Sequence, residues 1–258
     1  MRIATFNING IKARLPRLQE WLESDPADVV CLQEIKSMDD NFPRQTLEDA
    51  GWHVEVHGQK GFNGVAVLSR RPIASATPRL PGDDDDGQAR YLETVIDGVT
   101  IASLYLPNGN PIGGEKFAYK LAWMQRLEAH ARSLLEKEKP VILCGDFNVI
   151  PQPEDCYDPA AWTDDALYQL ESRAAFHTIL HAGYTDAIRL IRPTGPAYTY
   201  WDYQGGAWQQ DHGIRIDHHL LSPQAADRLD DARVDRAPRG KDKASDHTPV
   251  VITLADTG

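Results

Sequence analysis

Pro140 is followed by the apolar run Val141-Ile142-Leu143-Cys144, which stops at Gly145-Asp146-Phe147-Asn148. A short apolar run bounded by turn residues reads as a buried strand. Side chains two apart on extended backbone point the same way, so this strand end is expected to present Asp146 and Asn148 on one side of the next turn. The pattern recurs along the chain. Residues 3–7 lead into Asn7-Ile8-Asn9, residues 28–33 into Glu34, and residues 99–106 end around Tyr105 and Asn108. Asp217 lies inside an apolar stretch, and Asp246-His247 precedes the closing strand, residues 250–254. If these strands are neighbours, their polar ends converge.

Between them the sequence predicts a helix from about Pro16 burying Leu18, Trp21 and Leu22, and a short helix over 43–50. Strands follow over 52–58 and 64–69. Residues 90–96 and 99–106 read as a hairpin turning at Asp97-Gly98. A long helix over 115–139 carries Phe117, Leu121, Met124, Leu127, Ala131, Leu134 and Leu135 on one face. A Pro- and Asp-rich loop over 150–159 leads to a helix over 170–181 that Gly183 would stop. Last come an aromatic strand over 198–203, a loop over 204–213 and a strand over 214–221. Many short strands with few helices predict packed β-sheets with helices outside them, not a doubly wound parallel sheet.

No linker divides the 258 residues, so one domain over 1–258 is expected. A strand beginning at the first residues leaves no room for a signal peptide, and no apolar run suits a membrane span. Cys31 and Cys144 sit in apolar runs and read as buried thiols, in keeping with a reducing cytoplasm. The net charge of −11 argues against a partner held by bulk electrostatics, while leaving room for a local basic face. Asp83 to Asp86, flanked by glycines, reads as a solvated loop.

Carboxylates and amides with one or two histidines and no cysteine form a hard-ligand set. It suits Mg²⁺ or Mn²⁺ better than zinc or copper. The zinc-protease HExxH, the P-loop and the GxSxG elbow are absent. His218 and His219 are adjacent on a strand and face opposite ways, which rules out a shared metal. A divalent ion with a poised carboxylate and an Asp–His pair is equipped for phosphoester hydrolysis.

Six segments carry a resemblance: Asn7-Ile8-Asn9-Gly10, Leu32-Gln33-Glu34, Tyr105-Leu106-Pro107-Asn108, Gly145-Asp146-Phe147-Asn148, Arg215-Ile216-Asp217 and Ser245-Asp246-His247. In this order they resemble the exonuclease III and apurinic/apyrimidinic endonuclease family of the endonuclease/exonuclease/phosphatase superfamily. The resemblance spans essentially the whole chain. It implies an α+β fold, a four-layer αββα sandwich of two packed, mostly antiparallel or mixed sheets flanked by helices.

By the same resemblance, Glu34 is the principal metal ligand, with Asn7 beside it, Asn9 reaching the metal through water and Asp246 a second metal-side carboxylate. Asp146 orients or deprotonates the attacking water, helped by Asn148. Tyr105 and Asn108 hold the phosphate, and His247, kept charged by Asp217, contacts it. Arg90, Lys116 and Lys120 become candidates for gripping backbone phosphates. The Tyr200, Trp201 and Trp208 region resembles the loop that enters the minor groove and pockets an abasic sugar, the alternative for one or two of these aromatics being a core role. Two positions depart from the pattern: Asn9 stands where some members have aspartate, and Ile214 where eukaryotic members have a tryptophan against the sugar.

The implied activity is that of a cytoplasmic, monomeric DNA repair nuclease using Mg²⁺ or Mn²⁺. It cuts 5′ to abasic sites in duplex DNA and also acts as a 3′–5′ exonuclease and 3′-phosphatase or phosphodiesterase. The rivals are a phosphodiesterase of the superfamily acting on RNA, lipid or inositol phosphates, and a non-catalytic nucleic-acid-binding relative. The second would have lost the ligand residues, all of which are present.

Overall fold

In the computed structural model, which describes residues 1–24 and 26–256, two helical crossovers decide how the strands pair. The strands are β1 (Arg2–Asn7), β2 (Val29–Gln33), β3 (His53–His57), β4 (Val65–Ser69), β5 (Ile73–Pro78), β6 (Tyr91–Ile96), β7 (Val99–Tyr105), β8 (Val141–Asp146), β9 (Thr185–Asp186), β10 (Asp217–Leu221), β11 (Leu229–Val234) and β12 (Val250–Leu254). The helices are α1 (Ile11–Glu23), α2 (Arg44–Asp49), α3 (Glu115–Leu135), α4 (Leu170–His181), α5 (Ala187–Ile191), α6 (Ala207–Gln210) and α7 (Pro223–Ala226).

One sheet has the order β11-β12-β1-β2-β4-β3 and the other β5-β6-β7-β8-β10-β9. β1 and β2 run parallel, as do β7 and β8, while the other ladders are antiparallel. Parallel neighbours need a crossover, and α1 and α3 supply the two. The C-terminal ends of β1, β2, β7 and β8 therefore carry Asn7, Gln33, Tyr105 and Asp146, with Asn7 opposite Gln33 and Tyr105 opposite Asp146.

The sheets pack face to face through Ile3, Val29, Cys31, Val65 and Val67 on one side and Ile101, Ile142, Cys144 and Leu221 on the other. The outer face of the first sheet packs against Leu18, Trp21, Leu22 and Leu47, and that of the second against Trp123, Met124, Leu127, Phe176 and Ile179. These four layers are the expected αββα sandwich.

Several boundaries differ from expectation. α1 starts at Ile11, not near Pro16, because Gly10 turns the chain at φ 97° and the Ile11 N–H bonds Ile35 O at 3.0 Å. Pro16 sits inside the helix, where its missing N–H costs one intrahelical bond. α3 ends at Leu135, and its buried side includes Lys120 and Trp123, whereas Phe117, Leu121 and Leu135 are half-buried. β5 and β11 carry no clear apolar alternation, and β5 is an exposed edge strand ending at Pro78. Residues 198–203 are not a strand; Tyr200 makes only isolated bridges, to Ile214 and His247. The acidic loop is tied to α3, since the Asp86 carboxylate accepts from the Tyr119 hydroxyl at 2.9 Å and pairs with Arg126. All three cysteines are buried free thiols.

Candidate active site

The polar strand ends are built by turns, and not by strand alternation as the sequence suggested. β8 stops at Asp146, whose Oδ1 accepts the Asn148 N–H at 2.9 Å. Asn7 Oδ1 takes the Asn9 N–H at 3.0 Å, and Asn108 Oδ1 the Asn110 N–H at 3.1 Å, in the same way. Each is a side-chain-closed turn two residues long, the conformation that Asn and Asp favour. Asn9, Glu34 and Asn148 have φ of 47°, 49° and 48°. Left-handed backbone at three non-glycine residues in one place is strain of the kind that gathers at functional sites. Gly145 is the necessary glycine of this region, because a Cβ there would lie 1.8 Å from Leu104 O on β7.

Asn7 bridges the two sheets, its Nδ2 donating to Glu34 Oε1 and to Asp146 Oδ2, both at 2.9 Å. Ligand atoms of Glu34, Asp146 and His247 all lie within 4.8 Å of one another. Hydrogen bonds from Asn7, together with the nearby charges of Lys36 and His247, overcome burial and hold Glu34 below the usual carboxylate range. Burial pushes Asp146 the other way, up to about 7; the His247 charge opposes the shift, and Asp217 and Glu34 add to it.

Burial opposes charge on His247, yet Asp217 and Asp146 outweigh it and raise the imidazole to about 10. Its Nδ1 lies 2.8 Å from Asp217 Oδ2 and its Nε2 lies 3.7 Å from Asp146 Oδ2. A doubly protonated ring donates from both nitrogens and cannot ligate a metal. The carboxylates of Glu34 and Asp146 are thus the close pair that fits a hard divalent ion.

Asn9 and Asp246 form an adjoining arm, Asn9 Nδ2 donating to Asp246 Oδ1 at 2.9 Å while Lys36 Nζ lies 2.5 Å from Asn9 Oδ1 and 2.9 Å from Glu34 Oε2. Glu34 and Asp146 raise the Tyr105 phenol beyond what burial alone does, and Arg90 stacks on its ring at 4.9 Å. Asn108 Nδ2 approaches Asn148 Oδ1 at 3.4 Å. Tyr200 sets its ring edge-on to His247 at 5.0 Å.

Three expected substrate contacts lie inside the protein. Lys120 is fully buried, so it cannot grip a backbone phosphate; its Nζ donates to Asn108 O at 3.0 Å and Asn148 O at 2.6 Å. Trp201 is fully buried, with Nε1 bonded to Asp211 at 3.0 Å. Ile214 packs in a small cluster with Ile150, Cys156, Leu167 and Ile216. Trp208 is half-buried, packed edge-on to Trp201 and covered by Arg236 and Arg239, while Lys116 is exposed on the first turn of α3.

The sequence reading passed over Lys36, Thr199 and the inter-sheet role of Gln33. Thr199 Oγ1 donates to Asp217 Oδ2 at 2.6 Å, and Gln33 Nε2 reaches Ser103 Oγ on the other sheet at 3.0 Å. Lys36 had a signal, being two residues from Glu34; the Gln33 contact exists only once the sheets are stacked, and the Thr199 contact only once its loop folds onto β10.

Two stacked mixed sheets that gather a carboxylate pair, bridging amides and a charged His–Asp pair at their strand ends define a metal-dependent hydrolase. The model of the Endonuclease/Exonuclease/phosphatase family matches residues 4–247, and the chain belongs to that family. It is 32% identical over 262 residues to exodeoxyribonuclease III of Haemophilus influenzae, covering 97% of this chain and 98% of that protein. Among solved structures it is similar to the 3′ phosphatase NExo from Neisseria, determined as its D146N form bound to a product DNA hairpin. That match has 38% identity and a TM-score of 0.97 over 99% of this chain and 100% of that one. An AP endonuclease from Archaeoglobus fulgidus matches at 34% identity and a TM-score of 0.95, over 98% and 99% of the two chains. The protein is a hydrolase of this nuclease type. Among the described residues no helix is long and apolar enough to cross a membrane.

Proposed function

We propose that this chain is a single-domain, monomeric, cytoplasmic DNA repair nuclease that uses Mg²⁺ to hydrolyse phosphodiesters 5′ to abasic sites in duplex DNA. It also removes phosphates and nucleotides from 3′ ends. The observation that carries the reading is the Asn7 bridge, which draws Glu34 of one sheet and Asp146 of the other to a spacing one hard cation can span. Glu34 and Asp146 would hold the ion, with Asn9 and Asp246 on its flank. The oxygen donors favour Mg²⁺, with Mn²⁺ a substitute. When bound, the ion supplies Lewis-acid stabilisation of charge on the phosphoryl oxygens.

Asp146, fixed by the Asn7 amide and the Asn148 N–H, orients the attacking water by accepting its hydrogen bond. His247 donates from Nε2 to the scissile phosphate while Asp217 holds Nδ1. Tyr105 and the side-chain amide of Asn108 hold a phosphate oxygen. The relatives that are a 3′ phosphatase and an AP endonuclease support both halves of the proposed activity.

The test uses two duplexes, one with a tetrahydrofuran abasic analogue and one with a 3′-phosphate, each in Mg²⁺ or EDTA. Metal-dependent cleavage of both is expected. Failure on both sinks the reading.

A further inference from the structure

We propose that Lys120 is a positioning residue for hydrolysis: its ammonium clamps the turn carrying Asn108 to the turn carrying Asn148 and so fixes the spacing of the two amides beside Asp146. The inference rests on the functional reading above. A lysine with no exposed surface is rare unless its charge is matched. Here the match is two backbone carbonyls, those of Asn108 at 3.0 Å and Asn148 at 2.6 Å. They belong to the two side-chain-closed turns that follow β7 and β8, whose last carbonyls have left the ladder and need donors.

The clamp is tight on the other side as well. Gly109 lies directly on the lysine stem, where an added Cβ would meet Lys120 Cδ at 2.6 Å. Asn110 continues the joint, its Oδ1 accepting the Ala166 N–H at 2.9 Å and its Nδ2 donating to Asp165 at 3.1 Å. Burial lowers the ammonium to about 7, and Asp146 and Asp165 are the charges that favour its protonated form. Nζ reaches no substrate, so its effect passes through the two turns. α3, the crossover between β7 and β8, thereby holds the ends of both strands it connects.

The experiment compares wild type with Lys120→Met, which keeps the stem and removes the donors. For metal-dependent release of 3′-phosphate from duplex DNA, kcat is expected to fall roughly 10- to 100-fold with KM unchanged, the effect of slightly misplaced groups. Amide hydrogen exchange is expected to quicken in 108–110 and 147–149 but not at the end of β1. Lys120→Arg, which keeps charged N–H donors at this position, should recover part of kcat.

A folded Met variant with lowered melting temperature and unaltered kcat overturns the proposal, as does unchanged exchange in the two turns. If the Met variant does not fold, Lys120→Gln, whose neutral donor is one bond shorter, decides by the same two readouts. A wild type inactive on DNA sinks the substrate reading alone, and the exchange data then decide the clamp.

Discussion

Replacing Asp217 with asparagine should discharge His247 at mildly alkaline pH. The imidazole stands at about 10 against an ordinary 6.5. At 1.36 kcal/mol per pKa unit, the fold favours the charged ring by about 5 kcal/mol. Burial works against this, so the surrounding carboxylates supply more than the net effect. Asp217 is foremost among them, fully buried and 2.8 Å from Nδ1. Asp217→Asn keeps an oxygen for the Nδ1–H and for Thr199 while removing the charge.

The pKa should then drop by roughly 2 units, about 3 kcal/mol. The assay is a ring-nitrogen NMR titration of metal-free protein in EDTA. Because the folded pKa lies above the unfolded one, the stabilisation is complete below pH 6.5 and is lost as pH rises through about 10. The unfolded pKa is common to both, so the stability gap between wild type and variant should be full below about pH 8, the folded pKa of the variant, and should close as pH rises through about 10. A variant ring titrating within about half a unit of wild type would refute Asp217 as the source of the charge.

Glu34→Gln should weaken Mg²⁺ binding at least roughly tenfold in calorimetry, since it removes one of the two close carboxylates. Arg215 is fully buried between Asp155 at 2.6 Å and Asp186 at 2.7 Å, and Arg215→Met should cost about 3–5 kcal/mol in denaturant unfolding by taking the ion pair from Asp186 and leaving Asp155 with Arg189 as its remaining one. Both carboxylates are held below their ordinary pKa despite burial, chiefly by the Arg215 charge. This contribution is present above the unfolded carboxylate pKa and fades in acid, so the deficit should narrow as pH falls below about 4. Gly145→Ala drives a methyl into Leu104 O and should cost more than roughly 2 kcal/mol, read as a lowered denaturation midpoint.

Much of the architecture was legible because burial on both faces writes itself into β2, β4 and β8 as apolar runs, and into β1 as one broken only by Thr5. The edge strand β5 left no such mark, since exposed residues need no pattern, and the half-buried β11 mixes Asp230, Asp231 and Arg233 with Leu229, Ala232 and Val234 in no strand period. At the site, the sequence named the residues but gave the wrong geometric reason for two of the pairs. Asn7 with Asn9 and Asp146 with Asn148 are joined by turns that their own side chains close. Lys120 and Ile214 lie inside where substrate contacts were expected, and among the aromatics Trp201 takes the core role, because residue type alone does not reveal solvent access. Lys120 is buried where Gly109 presses on its stem.

The sequence by itself determined which groups the site has, because the apolar runs mark the strands and the residues that end them are carboxylates, amides and a histidine. Only the tertiary structure decided what they do to one another. Stacking the two sheets brings Glu34 and Asp146 onto one asparagine, lets Asp217 charge His247, and turns a helix lysine inward between two turns. Those interactions depend on distances of a few ångströms between residues as far as 139 positions apart, and chain order does not encode them.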